Sequence, residues 1–214
     1  MIEKPYINEV ELNFTKPAPK RGSTKTIILH HAAGENLTVQ QIHAIHINNG
    51  WNGIGYQFYI RMDGRIFQGR PLWSSGIHTV GQNSSSVGIC FEGNFQTDEM
   101  TEVQFNSGVK LVAWLLDNYD LSLNDLKEHR DFNATACPGL NFPSLQFRKA
   151  VKNYMERKKI DDSIPAGCED ACKWAVENGI VAGYGDGTFG WNESVTLARM
   201  VTICKRMIDK NRKL

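Results

Sequence analysis

Thr26-Ile27-Ile28-Leu29-His30-His31-Ala32-Ala33-Gly34 joins an apolar run to two histidines and then to small residues. That order suits a buried strand whose far end aims a side chain into a cleft from a rigid backbone. Far downstream lies Glu128-His129-Arg130-Asp131-Phe132-Asn133-Ala134-Thr135-Ala136-Cys137-Pro138-Gly139. His30, His129 and Cys137 together form a nitrogen-and-sulfur donor set of the kind that suits Zn²⁺. Three protein ligands leave a fourth position for water, as in catalytic rather than structural zinc sites, and one ion per chain is expected.

Outward from the opening run, strand and helix signals alternate. Residues 26–30 read as a strand. Thr38 is placed to cap a helix over residues 39–48, with Ile42, Ile45 and His46 on one face. Gly50, Gly53 and Gly55 break that helix. Residues 56–61 and 65–69 read as a hairpin around Met62-Asp63-Gly64. Residues 87–91 form a further buried strand. Thr101 opens a long helix, with Glu102 at its positive end and an apolar stripe of Phe105, Val109, Val112, Leu115 and Leu116. Residues 143–155 close the domain as a helix. The fold expected is α/β, a mixed central sheet flanked by helices.

The chain has 214 residues, enough for one domain of ordinary size and a small appendage. Hydrophobic content of 41% and charged content of 22% describe a globular chain. A formal net charge of +1 argues against nucleic-acid binding by bulk charge. No run is long enough for a membrane span. Met1-Ile2-Glu3-Lys4-Pro5-Tyr6 lacks a basic region followed by an apolar stretch, so no signal peptide is expected. Five cysteines are an odd number and read as reduced thiols or a ligand rather than a disulfide framework. Cys168 and Cys172 stand one helical turn apart without a second pair and read as helix residues.

Several pieces resemble the amidase-2 family, the zinc amidases of phage endolysins together with peptidoglycan recognition proteins. They are Ile28-Leu29-His30-His31-Ala32-Ala33, the run Asn49 to Ile60 with its Gly-Ile-Gly-Tyr56, Asp63-Gly64-Arg65-Ile66-Phe67-Gln68-Gly69-Arg70-Pro71, Ser86-Val87-Gly88-Ile89, Gly93-Asn94-Phe95, and His129 to Gly139. They fall in the family's order across about residues 24 to 155. The resemblance implies an N-acetylmuramoyl-L-alanine amidase, cutting between muramic acid and L-alanine in bacterial peptidoglycan. It further implies His30, His129 and Cys137 as metal ligands and Tyr56 as the hydroxyl that meets the developing oxyanion. Thr135 takes a position where phage-type members have Lys, so its role is limited to hydrogen bonding. Some relatives carry a catalytic Glu where this chain has Cys90. Glu92 lies two residues on, on the same strand face, and is the candidate base. His78 matches a cleft histidine and is a substrate-binding candidate, with Trp51 and Asn83; Trp73 is a further groove candidate. His31 should face away from the metal. His43 and His46, at i and i+3 on a helix, read as structural.

Past residue 158 the pattern changes. Residues 159–164 read as a linker and 165–214 as a small all-α helix-loop-helix module, with helices at 168–178 and 195–208. Trp174-Ala175-Val176-Glu177-Asn178-Gly179-Ile180 and Gly183-Tyr184-Gly185-Asp186-Gly187-Thr188-Phe189 resemble a single surface-layer-homology repeat. That resemblance implies binding to a secondary cell-wall polysaccharide. Asp186-Gly187 lacks the spaced acidic ligands of a calcium loop. Where relatives carry Thr-Arg-Ala-Glu, this chain has Thr196-Leu197-Ala198-Arg199, which moves the cation to another helical face and weakens that expectation. A lone repeat of this size has little core of its own, so it is expected to pack against the first domain or against a second chain, as a homodimer. The whole reads as a lysis enzyme of phage or prophage type, made in the cytoplasm and reaching the wall after holin-type release. The alternative reading is a non-catalytic peptidoglycan-binding recognition protein, against which the retained Cys137 and Tyr56 speak.

Overall fold

The computed structural model describes residues 2–158, 164–183, 189–191 and 194–211. Residues 159–163 of the expected linker and residues 184–188 of the glycine-rich loop lie outside the described residues. The chain divides into two compact units, Met1–Met155 and Glu156–Leu214.

In the first unit, five strands form one mixed sheet: β1 (Thr26–His31), β2 (Phe58–Ile60), β3 (Ile66–Gln68), β4 (Ser86–Phe91) and β5 (Leu126–Glu128). Their order is β3-β2-β4-β1-β5. β1 lies at the inside of the sheet, parallel to both β4 and β5, and only β3 runs antiparallel. The hairpin strands are shorter than expected. The sequence reading missed β5, because three residues holding a Lys and a Glu carry no apolar run.

The side-chain period of two sorts the strands into two faces. Ile27, Leu29, Phe58, Ile60, Val87, Ile89 and Phe91 pack with the helices α2 (Glu102–Asn118) and α3 (Ser144–Lys158) in the main core. Tyr59 and Cys90 point the other way, into a smaller cluster with Val39 and Ile42 of α1 (Val39–Asn48). His30 pairs in register with Cys90, which pairs with Tyr59, so His30 belongs to this second face. The strand that builds the core on one side therefore presents His30 on the other.

The helix caps follow the sequence. Thr38 accepts from the Gln41 backbone N–H, and Gln41 returns the bond to the Thr38 N–H as a capping box. Thr101 caps α2 by accepting from the Gln104 backbone N–H. The buried face of α2 is wider than the expected stripe. It takes in Gln104, whose amide donates to the carbonyls of Ile60 and Glu92 and ties the helix to the ends of β2 and β4. Arg70 is fully buried and donates to the carbonyls of Ile54 and Ser75. Its backbone N–H donates to the Tyr56 carbonyl, so it holds the segment that carries Tyr56.

The second unit contains α4 (Glu169–Glu177) and α5 (Leu197–Asn211). Thr196 caps α5 by accepting from the Arg199 N–H, and Arg206 donates to the Ile180 carbonyl. Phe189 and Trp191 stack with ring centroids 5.0 Å apart. A groove in this unit is lined by Phe189, Trp191, Arg199 and Arg206 among others. Leu197 is exposed, while Arg199, two places on, reaches the groove. All five cysteines are free thiols. No helix among the described residues is long and apolar enough to cross a membrane.

Candidate active site

His30 at the end of β1, His129 just past the end of β5 and Cys137 in the following loop converge. Their donor atoms all lie within 4.8 Å of one another, and His30 Nδ1 is 3.8 Å from Cys137 Sγ. Nitrogen and sulfur donors around one tetrahedral zinc sit about 3.3–3.6 Å apart, so the set here is wider than a closed site, and its chemistry fits that ion. The His30 and His129 rings approach to 4.6 Å.

The loop is stapled from within. The Arg130 N–H donates to the Cys137 carbonyl at 3.1 Å. Arg130 pairs its guanidinium with Glu128 at 2.6 Å and donates to the Gly139 carbonyl. Gly139 has φ +110, and a Cβ there would meet the Phe95 carbonyl carbon at 2.3 Å, so only glycine lets the loop lie this close. Thr135 Oγ1 accepts from the Cys137 N–H at 3.2 Å. It shapes the turn that presents the sulfur, in keeping with a hydrogen-bonding role.

Burial lowers the proton affinity of His30 well below the usual range, helped by His78 and His129, and lowers that of His129 as well. Both rings are therefore neutral with a lone pair to offer. Burial pushes the Cys137 thiol up to about 11, against the N–H of His31, which donates to the sulfur at 3.4 Å, and the charge of Arg130. A metal entering here must displace that proton. Tyr56 lies beside the set, its ring 5.1 Å from that of His30. Burial, then Cys90 and Cys137, raise its hydroxyl well above the ordinary value, so the group keeps its proton and acts as a donor.

The other candidates fall elsewhere. Glu92 is 1% exposed, and both carboxylate oxygens are taken: Arg61 donates to them at 2.9 and 3.2 Å, and the Met62 N–H donates at 3.0 Å. Expected as a base, it instead clamps the ends of β2 and β4. Glu92→Gln should lower stability by roughly 1.5–3 kcal/mol, the range for a hydrogen bond to a charged group, with kcat/KM within about threefold of the parent. Denaturant midpoints and kinetics on a soluble muropeptide check both parts. A loss of activity without a loss of stability would restore Glu92 as the base.

His78 is buried, and its ring nitrogens contact His30, Thr79 and Ser86. Asn83 Oδ1 accepts from the N–H groups of His78 and Thr79 and so shapes their loop. Both were expected to meet substrate, and the contacts here are internal. Trp51 is partly exposed with its ring 4.5 Å from His46. His31 turns away, its Nδ1 accepting from the Phe95 N–H. His43 and His46 accept from the backbone N–H groups of Ile54 and Gly55, and burial holds His46 down at about 4. They form part of no metal-binding group among the described residues.

Sequence reasoning missed Thr79, Ser86 and Asn133, which touch the candidate ligands or the residues behind them. Asn133 Oδ1 lies 3.1 Å from His129 Nε2. Its spacing, four residues after a ligand histidine, was the one available signal.

The profile of a family described as N-acetylmuramoyl-L-alanine amidase matches residues 20–140, and that of the S-layer homology domain matches residues 161–198. Peptidoglycan-recognition protein SC2 of Drosophila melanogaster is 34% identical over 124 residues, 53% of this chain and 67% of that protein. The endolysin of Enterobacteria phage T3 is 32% identical over 129 residues, 56% of this chain and 84% of that protein. Among solved structures, the endolysin N-acetylmuramoyl-L-alanine amidase LysCS from Clostridium intestinale is 39% identical with a TM-score of 0.68. The match covers 70% of this chain and 97% of that one.

Proposed function

Because the chain belongs to the N-acetylmuramoyl-L-alanine amidase family, we propose that it is a zinc-dependent hydrolase of bacterial peptidoglycan that cuts the amide between N-acetylmuramic acid and L-alanine. The observation that carries this reading is the convergence of His30, His129 and Cys137, with the Tyr56 ring alongside. When bound, zinc would supply a Lewis acid that lowers the pKa of water and polarises the scissile carbonyl. The chain's own groups do the rest. The His31 N–H steadies the sulfur, and Thr135 and Arg130 hold the loop that presents it. Tyr56 donates its hydroxyl proton as a hydrogen bond to the oxygen on which charge develops. A recognition protein that only binds wall would need no such donor set. Mass spectrometry of purified peptidoglycan after incubation tests the reading: stem peptides with a free L-alanine amine should appear. Intact wall after incubation with zinc-loaded protein would favour the recognition reading.

We read the protein as a phage- or prophage-type endolysin, made in the cytoplasm and acting on the wall after release. Its likeness to proteins named as endolysins supports this. The second unit is read as the wall-binding part. Its groove, with two arginines beside a stacked aromatic pair, suits an anionic wall polysaccharide, and association of chains through this unit would multiply its contacts. A chain ending at Lys158 should cleave a soluble muropeptide at close to the intact rate. On insoluble wall it should be about three- to tenfold slower, a small part of what tethering can supply. Inactivity of the shortened chain on soluble substrate would overturn the division of labour, and light scattering of the full chain tests the association.

A further inference from the structure

We propose that His78 is a positioning residue for the metal site: a proton-ordered chain from the Gln82 carbonyl through Ser86 and His78 fixes the tautomer of His30 that leaves its Nδ1 free to ligate. The proposal deepens the zinc reading and rests on it.

A neutral histidine carries one ring proton, and only the bare nitrogen can bind a metal. His30 faces Cys137 with Nδ1 and the protein interior with Nε2. It can serve as a ligand only if the proton sits on Nε2. What decides this lies outside the metal ligands. The Gln82 carbonyl can only accept, so Ser86 must donate its hydroxyl proton to it, at 2.7 Å. Ser86 Oγ then has lone pairs and no proton left for His78 Nε2, 3.4 Å away. His78 Nε2 must therefore carry the ring proton, which leaves His78 Nδ1 as an acceptor. His30 Nε2 lies 3.0 Å from that atom and donates to it. Thr79 Oγ1 lies 2.9 Å from the same nitrogen and 3.3 Å from His30 Nε2, where its lone pairs accept a share of the His30 N–H. Reversing the chain would put the His30 proton on Nδ1, facing Cys137, and close the site to a cation.

The ring of His78 has little freedom to do otherwise. A Cβ built on Gly88 would lie 2.5 Å from His78 Cδ2, so the ring rests directly on the backbone of β4. The backbone N–H groups of His78 and Thr79 both donate to Asn83 Oδ1. Outer partners of this kind commonly change metal affinity by 10–100-fold when removed.

The test is zinc affinity of the metal-free full chain, measured by competition with a chromophoric chelator. His78→Leu fills the space without an acceptor and should bind zinc 10–100-fold more weakly. His78→Asn, whose carboxamide oxygen can take the place of Nδ1, should stay within about threefold of the parent. Ser86→Ala removes the proton anchor with little change in volume and should weaken binding measurably. It decides the matter if His78→Leu does not fold. The thiolate-to-cobalt absorption of the Co²⁺-loaded variants should shift for Leu and stay for Asn. Parent-like zinc affinity in both His78→Leu and Ser86→Ala would overturn the proposal, as would equal losses for Leu and Asn. If the parent chain itself takes up no zinc, the metal reading fails, which is a different result from either.

Discussion

Cys137→Ser should abolish amide hydrolysis, a loss of at least about 10³-fold, and chelation of the parent should do the same. Added zinc should restore the chelated parent and leave the variant inactive, and elemental analysis should find one zinc per parent chain. The reason lies in the donor set. Serine keeps the shape but not a soft anionic donor, and its hydroxyl gives up a proton far less readily than a thiol. The experiment also separates the metal reading from a thiol–imidazole hydrolase, since Cys137 Sγ and His30 Nδ1 are 3.8 Å apart. Such a pair needs a thiolate beside an imidazolium. Here burial raises the thiol to about 11 and lowers His30 well below its usual range, so both charged forms are disfavoured. At pH 7 only about one metal-free thiol in 10⁴ would be ionised. Full activity in a verified metal-free protein would rule the zinc mechanism out. Cys168, Cys172 and Cys204 lie in the other compact unit, and serine at those positions should leave the rate on soluble muropeptide unchanged.

Tyr56→Phe should lower kcat by about 10²–10³-fold, the range for removing one donor from an oxyanion site, with zinc content unchanged. Phenylalanine keeps the ring beside His30, His46 and His78, so the substitution subtracts a hydroxyl and little packing. Because that hydroxyl stays protonated, its contribution is a hydrogen bond that strengthens as the carbonyl oxygen gains charge. The loss should therefore fall on kcat more than on KM. A fall in zinc content that tracks the fall in rate would give Tyr56 a supporting role in the metal site instead.

The amino-acid sequence by itself determined the local elements and the order in which they come. Thr38 and Thr101 cap the helices they were expected to cap. The apolar run before His30 forms a central strand, because an unbroken hydrophobic run satisfies a strand covered on both faces. The candidate donor set was legible through its resemblance to the family's motifs, and folding brings its three donor atoms within 4.8 Å of one another. Other features had no local signal. β5 holds a Lys and a Glu in three residues and exists because the edge of β1 offers it hydrogen bonds. Glu92 shares its strand's direction with Cys90, yet Arg61 and the Met62 N–H, some thirty residues earlier, take its charge. His78 matched a cleft residue by motif, and the fold set it behind His30 with Ser86 and Gln82 at its back. Periodicity and capping are written in neighbouring residues. Which carboxylate is paired, and which nitrogen of a histidine is left bare, depends on partners that only chain folding brings within 3 Å or so, and spacing along the chain carries no record of them.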